Sequence, residues 1–425
     1  MMKQLENVLN PTDYNYTKES KTRSAVIVDF MSVIRKVPFQ KCSKMKDVLE
    51  TTWNIILAAS DANRIEVVYD SYLEGSVKES LRIRRAKVQP IEIINLSMES
   101  SMPIDMETFW ASPSNKEHLQ VISRDFFLKK AVQGYNIILS GYVTDGDGVF
   151  SAIEVKNGNV SDRPDLNCTL EEADCRLILH IAKAGKEHYD RIIVLSNDTD
   201  VFIYNLAYYE QFRKDKIREL WIRFGVKEKA RNIPIHRIAE ELGVEKSAAL
   251  LKAYILTGCD VTSKVGTKAA AFKAKPEVYL KYFGVEPVTD YVFQQAEKYL
   301  VNVIDPNTTC EKFDDLRHMM YTSTDKTLLK LPPTSSAIKG HLLRCHYVVN
   351  LCINLLDSGK EELRPVNFGW KRVHGMLVPD QNLQSMPTEF TTKCGCKKGC
   401  TKGCGCKRNS HLCTEYCKCL NCSNN

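Results

Sequence analysis

The sequence predicts an α/β fold with a mainly parallel, buried sheet, a helical extension and a small cysteine-rich zinc module. Two observations support this prediction. Apolar, strand-like runs alternate with helical stretches over roughly the first half of the chain, and nine cysteines crowd into the last thirty-two residues. At 425 residues with 44% hydrophobic composition, the chain can bury one large core or two smaller ones. No apolar run approaches the roughly 20 residues of a membrane helix, so we expect no membrane partner.

Strand-like and helical segments follow one another in order. Apolar β-rich runs occupy residues 24–33, 64–72, 135–143 and 191–204, and helical patterns occupy 44–62, 77–87 and 170–187. This alternation favours parallel strands joined by helices. From about residue 236 the pattern turns helical, through 292–304 to 336–357. The predicted organisation is a loose arm (1–23), an α/β domain (24–275), a helical extension (276–357), a proline-containing linker (358–392) and the cysteine module (393–423).

The cysteine spacing in the tail is typical of a zinc site. The pattern is C-x-C-x3-C-x3-C-x-C-x6-C-x3-C-x-C-x2-C, formed by Cys394, Cys396, Cys400, Cys404, Cys406, Cys413, Cys417, Cys419 and Cys422. So few apolar residues lie between them that the segment cannot bury a core, and thiolates at short spacing suit tetrahedral zinc. Three zinc ions with bridging thiolates would use all nine. The alternative, a disulfide scaffold, fits an odd cysteine number poorly and requires an oxidising compartment.

Positive charge is concentrated in the same tail. Of a net charge of +7, the segment 393–422 contributes +6, which falls to +3 once nine thiolates bind three Zn²⁺. Such an end favours binding to a polyanion, and we expect DNA, with RNA as the alternative. A solvated basic face is the structural alternative. The basic side chains expected to contact nucleic acid here are Lys397, Lys398, Lys402, Lys407 and Arg408.

Seven carboxylates are candidate metal ligands: Asp29, Asp70, Asp198 and Asp200 at or just beyond the ends of predicted strands, Glu172 and Asp174 at the start of a predicted helix, and Asp260 where a helix breaks at Gly258. Ligands of a parallel sheet bind beyond the carboxyl ends of its strands, so most of these acids are expected at one edge. Clustered carboxylates repel one another, whereas two Mg²⁺ or Mn²⁺ ions would neutralise them and support phosphodiester hydrolysis. For any single acid, a helix cap is an equally good explanation.

Basic residues after Asp70 are compatible with a phosphate substrate. Lys78, Arg82 and Arg85 are spaced to share one helical face, where Lys78 and Arg82 would steady the charge of the scissile phosphate. The alternative is an ordinary solvated helix face.

The tail resembles the tesmin-type CXC domain, a three-zinc, nine-cysteine module that binds DNA, and all nine cysteine positions match. Many members carry a tyrosine just before the fourth cysteine, whose ring enters the minor groove; Gly403 stands there in this chain.

The acidic motifs resemble the flap-endonuclease branch of the PIN-like nucleases over roughly residues 24–275. Asp29 in "VIVDF" and Asp70 in "VVYDS" match acids that close two strands, and Asp260 matches the aspartate that starts a helix–two-turn–helix element. The E-A-E motif is matched by Glu172-Ala173-Asp174 and the D-x-D motif by Asp198-Thr199-Asp200. In "SKVGTK", Gly266 and Lys268 would contact the duplex backbone, although only one glycine of the family's G-x-G is present. Residues 114–131 could form a helix of the family's arch.

Most of the chain is also similar to a widespread family of poorly characterised animal proteins that resembles transposon-borne genes. The shared segments are "EEADCRLILH", "SNDTDVFI", "LTGCDVTS", Gly369-Trp370 and the cysteine tail. These resemblances imply a nuclear, Mg²⁺- or Mn²⁺-dependent nuclease with two metal ions in its body. The seven acids and Lys78 and Arg82 would be catalytic, and about three zinc ions would hold the tail. The alternative is a non-enzymatic DNA-binding protein whose body is a scaffold.

Overall fold

The structure, a computed structural model, describes residues 2–10, 14–18, 22–71, 88–131, 134–143, 150–170, 172–225, 230–323, 331–357 and 363–380 of the body. In the tail it describes residues 394–396, 399–400, 403–408, 410–413, 417–419 and 422–424. Two compact units result. The first contains residues 1–251, 350–362 and 373–377, and the second contains 252–349, 363–372 and 378–425. The helix predicted at 77–87 lies outside the described residues.

A single eight-stranded sheet organises the described part of the first unit. Its spatial order is β5-β4-β3-β2-β1-β6-β7-β8. The strand bounds are β1 Ser24–Asp29, β2 Arg64–Val68, β3 Asn136–Val143, β4 Phe150–Lys156, β5 Asn159–Asp162, β6 Arg191–Leu195, β7 Glu219–Phe224 and β8 Arg231–Pro234.

The five central strands are parallel. Strands β3, β2, β1, β6 and β7 run in one direction, whereas β4, β5 and β8 pair antiparallel at the two edges. The chain moves outward from β1 to β2 and β3, and then returns to place β6 on the other side of β1. This reversal opens a crevice at the carboxyl ends of β1 and β6, the position at which open parallel sheets bind ligands. The α/β prediction is therefore confirmed, with a mixed and mostly parallel sheet.

Helices cover both faces of this sheet. The described helices between residues 2 and 256 are α1 Met2–Glu6, α2 Phe30–Ile34, α3 Met45–Leu57, α4 Met106–Ala111, α5 Pro113–Ala131, α6 Ala173–Lys186, α7 Thr199–Lys214, α8 Ile235–Leu242 and α9 Val244–Leu256, with 3₁₀ turns at Phe39–Lys41 and Pro164–Leu166. Apolar residues of α3 and α5, including Trp53 and Phe127, pack on alternate residues of the central strands such as Val26 and Val67. Helix α6 packs against β1 and β2.

Three strand-like runs end earlier than the sequence suggested: the run 64–72 is a strand only to Val68, and in the other two a helix follows. The run 24–33 is a strand only to Asp29, and the run 191–204 only to Leu195. In both, an aspartate accepts a hydrogen bond from the backbone two or three residues on and starts a helix, so local capping outweighs the β propensity of the apolar residues that follow. The helix expected at 114–131 forms as α5, but it packs on the core and is not a free arch element.

Between residues 252 and 349 the described part of the second unit is mainly helical. Its helices are α10 Lys268–Lys273, α11 Pro276–Tyr279, α12 Asp290–Ile304, α13 Phe313–Ser323 and α14 Ser335–Ile353, the last of which ends in the first unit. Buried polar groups bind helix ends: Lys252 Nζ donates to the carbonyl oxygens of Leu280 and Lys281 at 3.0 and 2.7 Å. Within the stretch expected to be a linker, a 3₁₀ turn at Pro365–Asn367 precedes β9 Trp370–Val373 and β10 Met376–Pro379.

Among the described residues, no helix combines the length and the apolar character that a membrane crossing requires. All sixteen cysteines lie within the described residues, and none of them forms a disulfide. The short helix α15 Gly405–Arg408 belongs to the tail.

Candidate metal centre and cysteine cluster

Three aspartates meet beyond the carboxyl ends of the central strands. One carboxylate oxygen from each of Asp174, Asp198 and Asp200 lies within 4.8 Å of the others. Hard oxygen ligands at such separations suit a divalent cation such as Mg²⁺ or Mn²⁺. The chain therefore holds an acidic group able to bind a metal ion.

Local turn chemistry places Asp198 and Asp200. After β6 ends at Leu195, Asp198 caps α7 by accepting a hydrogen bond from the backbone N–H of Asp200 at 2.8 Å. The Ser196 hydroxyl accepts from the Asp198 N–H at 3.0 Å. The Asn197 side chain accepts from the Gly225 N–H at 2.7 Å, which ties this turn to the residue after β7. Three hydrogen bonds from backbone N–H groups to side-chain oxygens thus fix this turn.

Asp29 lies beside this group, at the end of β1. Its carboxylate accepts from the Ser32 N–H at 3.0 Å and from the Ser196 hydroxyl at 2.8 Å, and the residue is 4% exposed. Burial raises the pKa of Asp29 to about 7, and the carboxylates of Asp70 and Asp198 add to the shift. A pKa displaced by burial and like charge marks a site where negative charge is concentrated.

Asp70, two residues past β2, fastens the helix that carries Asp174. Its Oδ1 accepts from the N–H of Ala173, the first residue of α6, at 3.1 Å. Its backbone carbonyl accepts from Gln120 Nε2 at 3.0 Å. Asp70 therefore has a helix-capping contact as well as an electrostatic interaction with Asp29.

A buried arginine on α6 holds the chain on both sides of Asp70. The Arg176 guanidinium donates to the Tyr69 carbonyl, to the Ser71 hydroxyl at 2.8 Å and to the Leu170 carbonyl at 2.7 Å. Arg176 is 1% exposed. One side chain thus fixes the loop of Asp70 against the helix of Asp174.

The other two predicted acids occupy different surroundings. Glu172 is the N-cap residue of α6, two positions before Asp174. Asp260 lies in the second unit, in the turn that follows α9. In that turn Gly258 has φ +105°, and a Cβ there would lie 2.8 Å from Lys264 Cα, so the close approach requires glycine. The inclusion of Glu172 and Asp260 in a metal site stays a prediction.

The predicted phosphate contacts divide into described and undescribed residues. Lys78, Arg82, Arg85, Lys397, Lys398 and Lys402 lie outside the described residues. Lys268 donates to the carbonyls of Tyr254 and Gly258, at the end of α9, and Gly266 follows in the same turn with φ +71°. Sequence reasoning missed Lys36, whose pKa burial lowers to about 8 while Asp29 opposes that shift.

The buried cluster of the described tail consists of cysteine side chains. These are Cys394, Cys400, Cys404, Cys406 and Cys413, and the other four cysteines pack against them. The apolar Leu412 is 67% exposed. The tail thus contains cysteine groups able to hold zinc.

Sulfur separations agree with shared tetrahedral ions rather than disulfides. Cys394–Cys396, Cys400–Cys422 and Cys400–Cys413 have Sγ–Sγ distances of 3.2, 3.3 and 3.5 Å. A disulfide requires about 2.05 Å, whereas two thiolates on one zinc ion stand roughly 3.8 Å apart. Four overlapping groups of four sulfurs, each within 4.8 Å, together include all nine cysteines.

Three cysteines recur among these groups. Cys394, Cys400 and Cys413 each belong to three of the four groups. Three tetrahedral ions need about twelve sulfur positions, so with nine thiolates three must be shared. Around the cluster, Lys407 and Arg408 on α15 are exposed, as is Gly403, and a Cβ at Gly403 would meet no described atom within 4 Å.

Several supporting residues were not found from the sequence. Ser32 and Ser196 hold Asp29, and Arg176 holds the loop of Asp70. Ser196 lies within "SNDTD", where a hydroxyl two residues before an N-cap aspartate is a recognisable turn signal. Arg176 follows Asp174 by two positions, and its burial depends on contacts with distant segments of the chain.

No protein-family model, curated protein or solved structure matches this chain, so the nuclease and CXC resemblances rest on the residues quoted above.

Proposed function

We propose that this protein is a nuclear, metal-dependent nuclease that hydrolyses phosphodiesters, with DNA as the expected substrate, and that its zinc-bound tail binds DNA. The observation that carries the proposal is the convergence of Asp174, Asp198 and Asp200, with Asp29 beside them, at the switch point of a parallel sheet. A structural role explains this convergence poorly, because a buried carboxylate next to like charges costs stability.

The donor set fits hard divalent cations. Asp174, Asp198 and Asp200 would hold Mg²⁺ or Mn²⁺ directly, and Asp29 and Asp70 would complete the coordination or bind water in it. Such ions supply Lewis-acid chemistry: they lower the pKa of water and neutralise charge on the phosphate. In this proposal Glu172, the N-cap residue of α6, joins the same site.

Neighbouring residues hold the acidic side chains in fixed positions. Ser196 and Ser32 fix the Asp29 carboxylate, Asp198 is fixed as a helix cap, and Arg176 prevents the Asp70 loop from moving away from α6. Preorganised ligands bind a cation without the entropic cost of collecting them. Lys36 interacts electrostatically with Asp29, and in this proposal it would steady a phosphate there.

The zinc tail would add to the affinity of the protein for nucleic acid. Lys407 and Arg408 are exposed on α15, over a cluster that would be rigid once zinc is bound. Basic residues on a small rigid module bind the phosphate backbone and position a protein on nucleic acid without selecting a sequence. We expect the tail to deliver the substrate and the body to cut it.

The test is a cleavage assay with labelled flap, duplex and single-stranded DNA and with RNA, in Mn²⁺ and in EDTA. Asp198→Asn is the informative variant, because asparagine keeps the helix cap while removing a charged ligand. Asp125→Asn is the matched control, since Asp125 is an exposed residue on α5. We expect cutting that requires the metal, at least about 100-fold slower in Asp198→Asn and unchanged in Asp125→Asn.

Equal cutting by wild type and Asp198→Asn would remove the assignment. Absence of cutting on every substrate, with DNA still bound, would favour the non-enzymatic scaffold. Mn²⁺ separates these further, because a preformed metal site raises the melting temperature of the protein and a scaffold without one does not.

A further inference from the structure

A second polar site lies at the amino ends of the central strands, whereas the acids lie beyond their carboxyl ends. It is a pocket of about 410 Å³ formed where the central strands begin, and its lining includes Ser24, Arg64 and Asn136, the first residues of β1, β2 and β3. Because the strands are parallel, their amino ends share one edge, so this pocket is separated from the aspartates by the length of the strands. The proposed nuclease chemistry does not use it.

Cationic side chains dominate the lining. Lys18, Arg23, Arg64 and Lys156 line the pocket, and Asp61 is the single carboxylate among its lining residues. Asp61 is already neutralised by Lys18, whose Nζ lies 2.8 Å from its Oδ1. Arg64 is itself paired with the carboxylates of Glu66 and Glu187, so the uncompensated charge of the lining is that of Arg23 and Lys156, which favours an anion.

Arg64 has a fixed position at this pocket. Its side chain is 3% exposed, and its guanidinium lies over the Tyr189 ring, 4.6 Å from the centroid. Nε donates to Glu66 at 2.6 Å and Nη1 donates to Glu187. Burial and three fixed contacts remove most of the side-chain freedom that an arginine normally loses on binding a ligand.

Two buried polar atoms of this lining have no partner. Arg64 Nη2 is a donor and Asn136 Oδ1 is an acceptor, and neither makes a hydrogen bond with any described residue. A buried polar atom without a partner costs about 1–3 kcal/mol. A ligand with an anionic oxygen and a hydroxyl group would satisfy both atoms. Such unmatched atoms next to a polar pocket are the mark expected of a ligand site.

We propose that this pocket binds a small phosphate monoester, such as a sugar phosphate. A phosphate dianion matches several converging cations better than a single carboxylate does, because guanidinium and ammonium groups donate charge-assisted hydrogen bonds to its three oxygens. The polar lining and the volume accommodate a compact hydroxylated molecule. Arg23 and Lys156, both exposed, would close on the phosphate from the rim.

Full-length protein without added Mg²⁺ or Mn²⁺ is titrated calorimetrically with ribose 5-phosphate and with inorganic phosphate. Ribose and sodium chloride of equal ionic strength are the controls for the sugar and for screening. Two variants are used. Lys156→Gln removes a cation, and Asn136→Asp adds a negative charge that repels the phosphate. Lys129→Gln, an exposed lysine at the end of α5, is the matched control.

We expect ribose 5-phosphate to bind and ribose not to bind. Lys156→Gln should weaken binding at least about fivefold, Asn136→Asp at least about tenfold, and Lys129→Gln less than twofold. Lys156 is exposed, so its replacement leaves the fold intact and keeps the comparison valid. Equal affinity for ribose and ribose 5-phosphate would overturn the proposal. So would an effect of Lys129→Gln as large as that of Lys156→Gln, because it would show general attraction to a basic protein.

Discussion

At the residue scale, the acid site is defined by a carboxylate in an unfavourable setting. Burial and the neighbouring Asp70 and Asp198 raise the pKa of Asp29 from an ordinary value of 3.8 to about 7. The folded protein therefore holds this proton more tightly than the unfolded chain, so the stability contributed by Asp29 declines as pH rises from about 4 to about 7. A bound divalent cation would reverse this penalty, because it favours the ionised form.

We predict that Asp29→Asn stabilises the protein when no divalent cation is added. The gain should be up to about 2 kcal/mol at pH 5 and up to about 4 kcal/mol above pH 8, since the penalty grows through that range. Urea unfolding of variant and wild type at several pH values measures it, with Asp125→Asn as the control. A difference that does not change with pH would contradict the assigned pKa. The same variant should lose most of the rise in melting temperature that Mn²⁺ gives the wild type.

Arg176 supports the site through the backbone. Replacement by methionine leaves the carbonyls of Tyr69 and Leu170 and the Ser71 hydroxyl without this donor in a buried setting. We predict a loss of about 2–4 kcal/mol in the free energy of unfolding, together with weaker Mn²⁺ binding. Arg213→Met, at an exposed i,i+3 pair with Glu210, should cost less than about 1 kcal/mol. Unfolding titrations measure the loss of stability, and Mn²⁺ thermal shifts measure the metal binding. Normal Mn²⁺ binding in Arg176→Met would show that the arginine stabilises the fold alone.

At the element scale, the bulge in β3 makes room for that arginine. The register of β3 with β4 shifts between Ser140 and Tyr142, and Gly141 between them has φ +93°. A Cβ on Gly141 would lie 2.4 Å from Arg176 Nη1 and 2.8 Å from the Tyr69 carbonyl oxygen. The bulge, α6 and the loop of Asp70 therefore depend on one glycine.

We predict that Gly141→Ala destabilises the protein by at least about 2 kcal/mol more than Gly134→Ala. Gly134 is a matched control because its φ is +92° and a Cβ there would meet no atom of the described residues within 4 Å. Both variants share the backbone strain, so their difference in urea unfolding reports the clash alone. Equal losses would show that the space around Gly141 can relax.

Elements with continuous apolar runs were predictable from the sequence. Strands β1, β2, β3 and β6 and helix α6 lie within the predicted segments. Strands β4, β5, β7 and β8 were not predicted; β5 is fully exposed, and β7, "ELWIRF", mixes charged and apolar residues without alternation. The positions of Asp174, Asp198 and Asp200 at one edge followed from strand direction. The contacts of Arg176 did not, since they join residues about 100 positions apart.

At the scale of the whole molecule, the body and the cysteine tail are each stabilised by a different kind of interaction. The body buries extensive apolar cores, whereas the buried cluster of the described tail consists of cysteines. Zinc would therefore supply the folding energy of the tail, and the body would need none of it. The two parts should respond separately to chelation and to deletion.

We predict that a chain ending at residue 392 contains no zinc and melts at the same temperature as the body of the full chain. The full chain should carry about three zinc ions by elemental analysis. Deletion also removes seven basic side chains between residues 393 and 422. Because each phosphate contact adds about 0.9 to the slope of log K against log salt, the shortened chain should bind duplex DNA more weakly and with a slope smaller by several. Fluorescence anisotropy at four salt concentrations measures both quantities, and Lys129→Gln in the full chain serves as the control for general charge. An unchanged slope would place the DNA contacts on the body and leave the tail with another role.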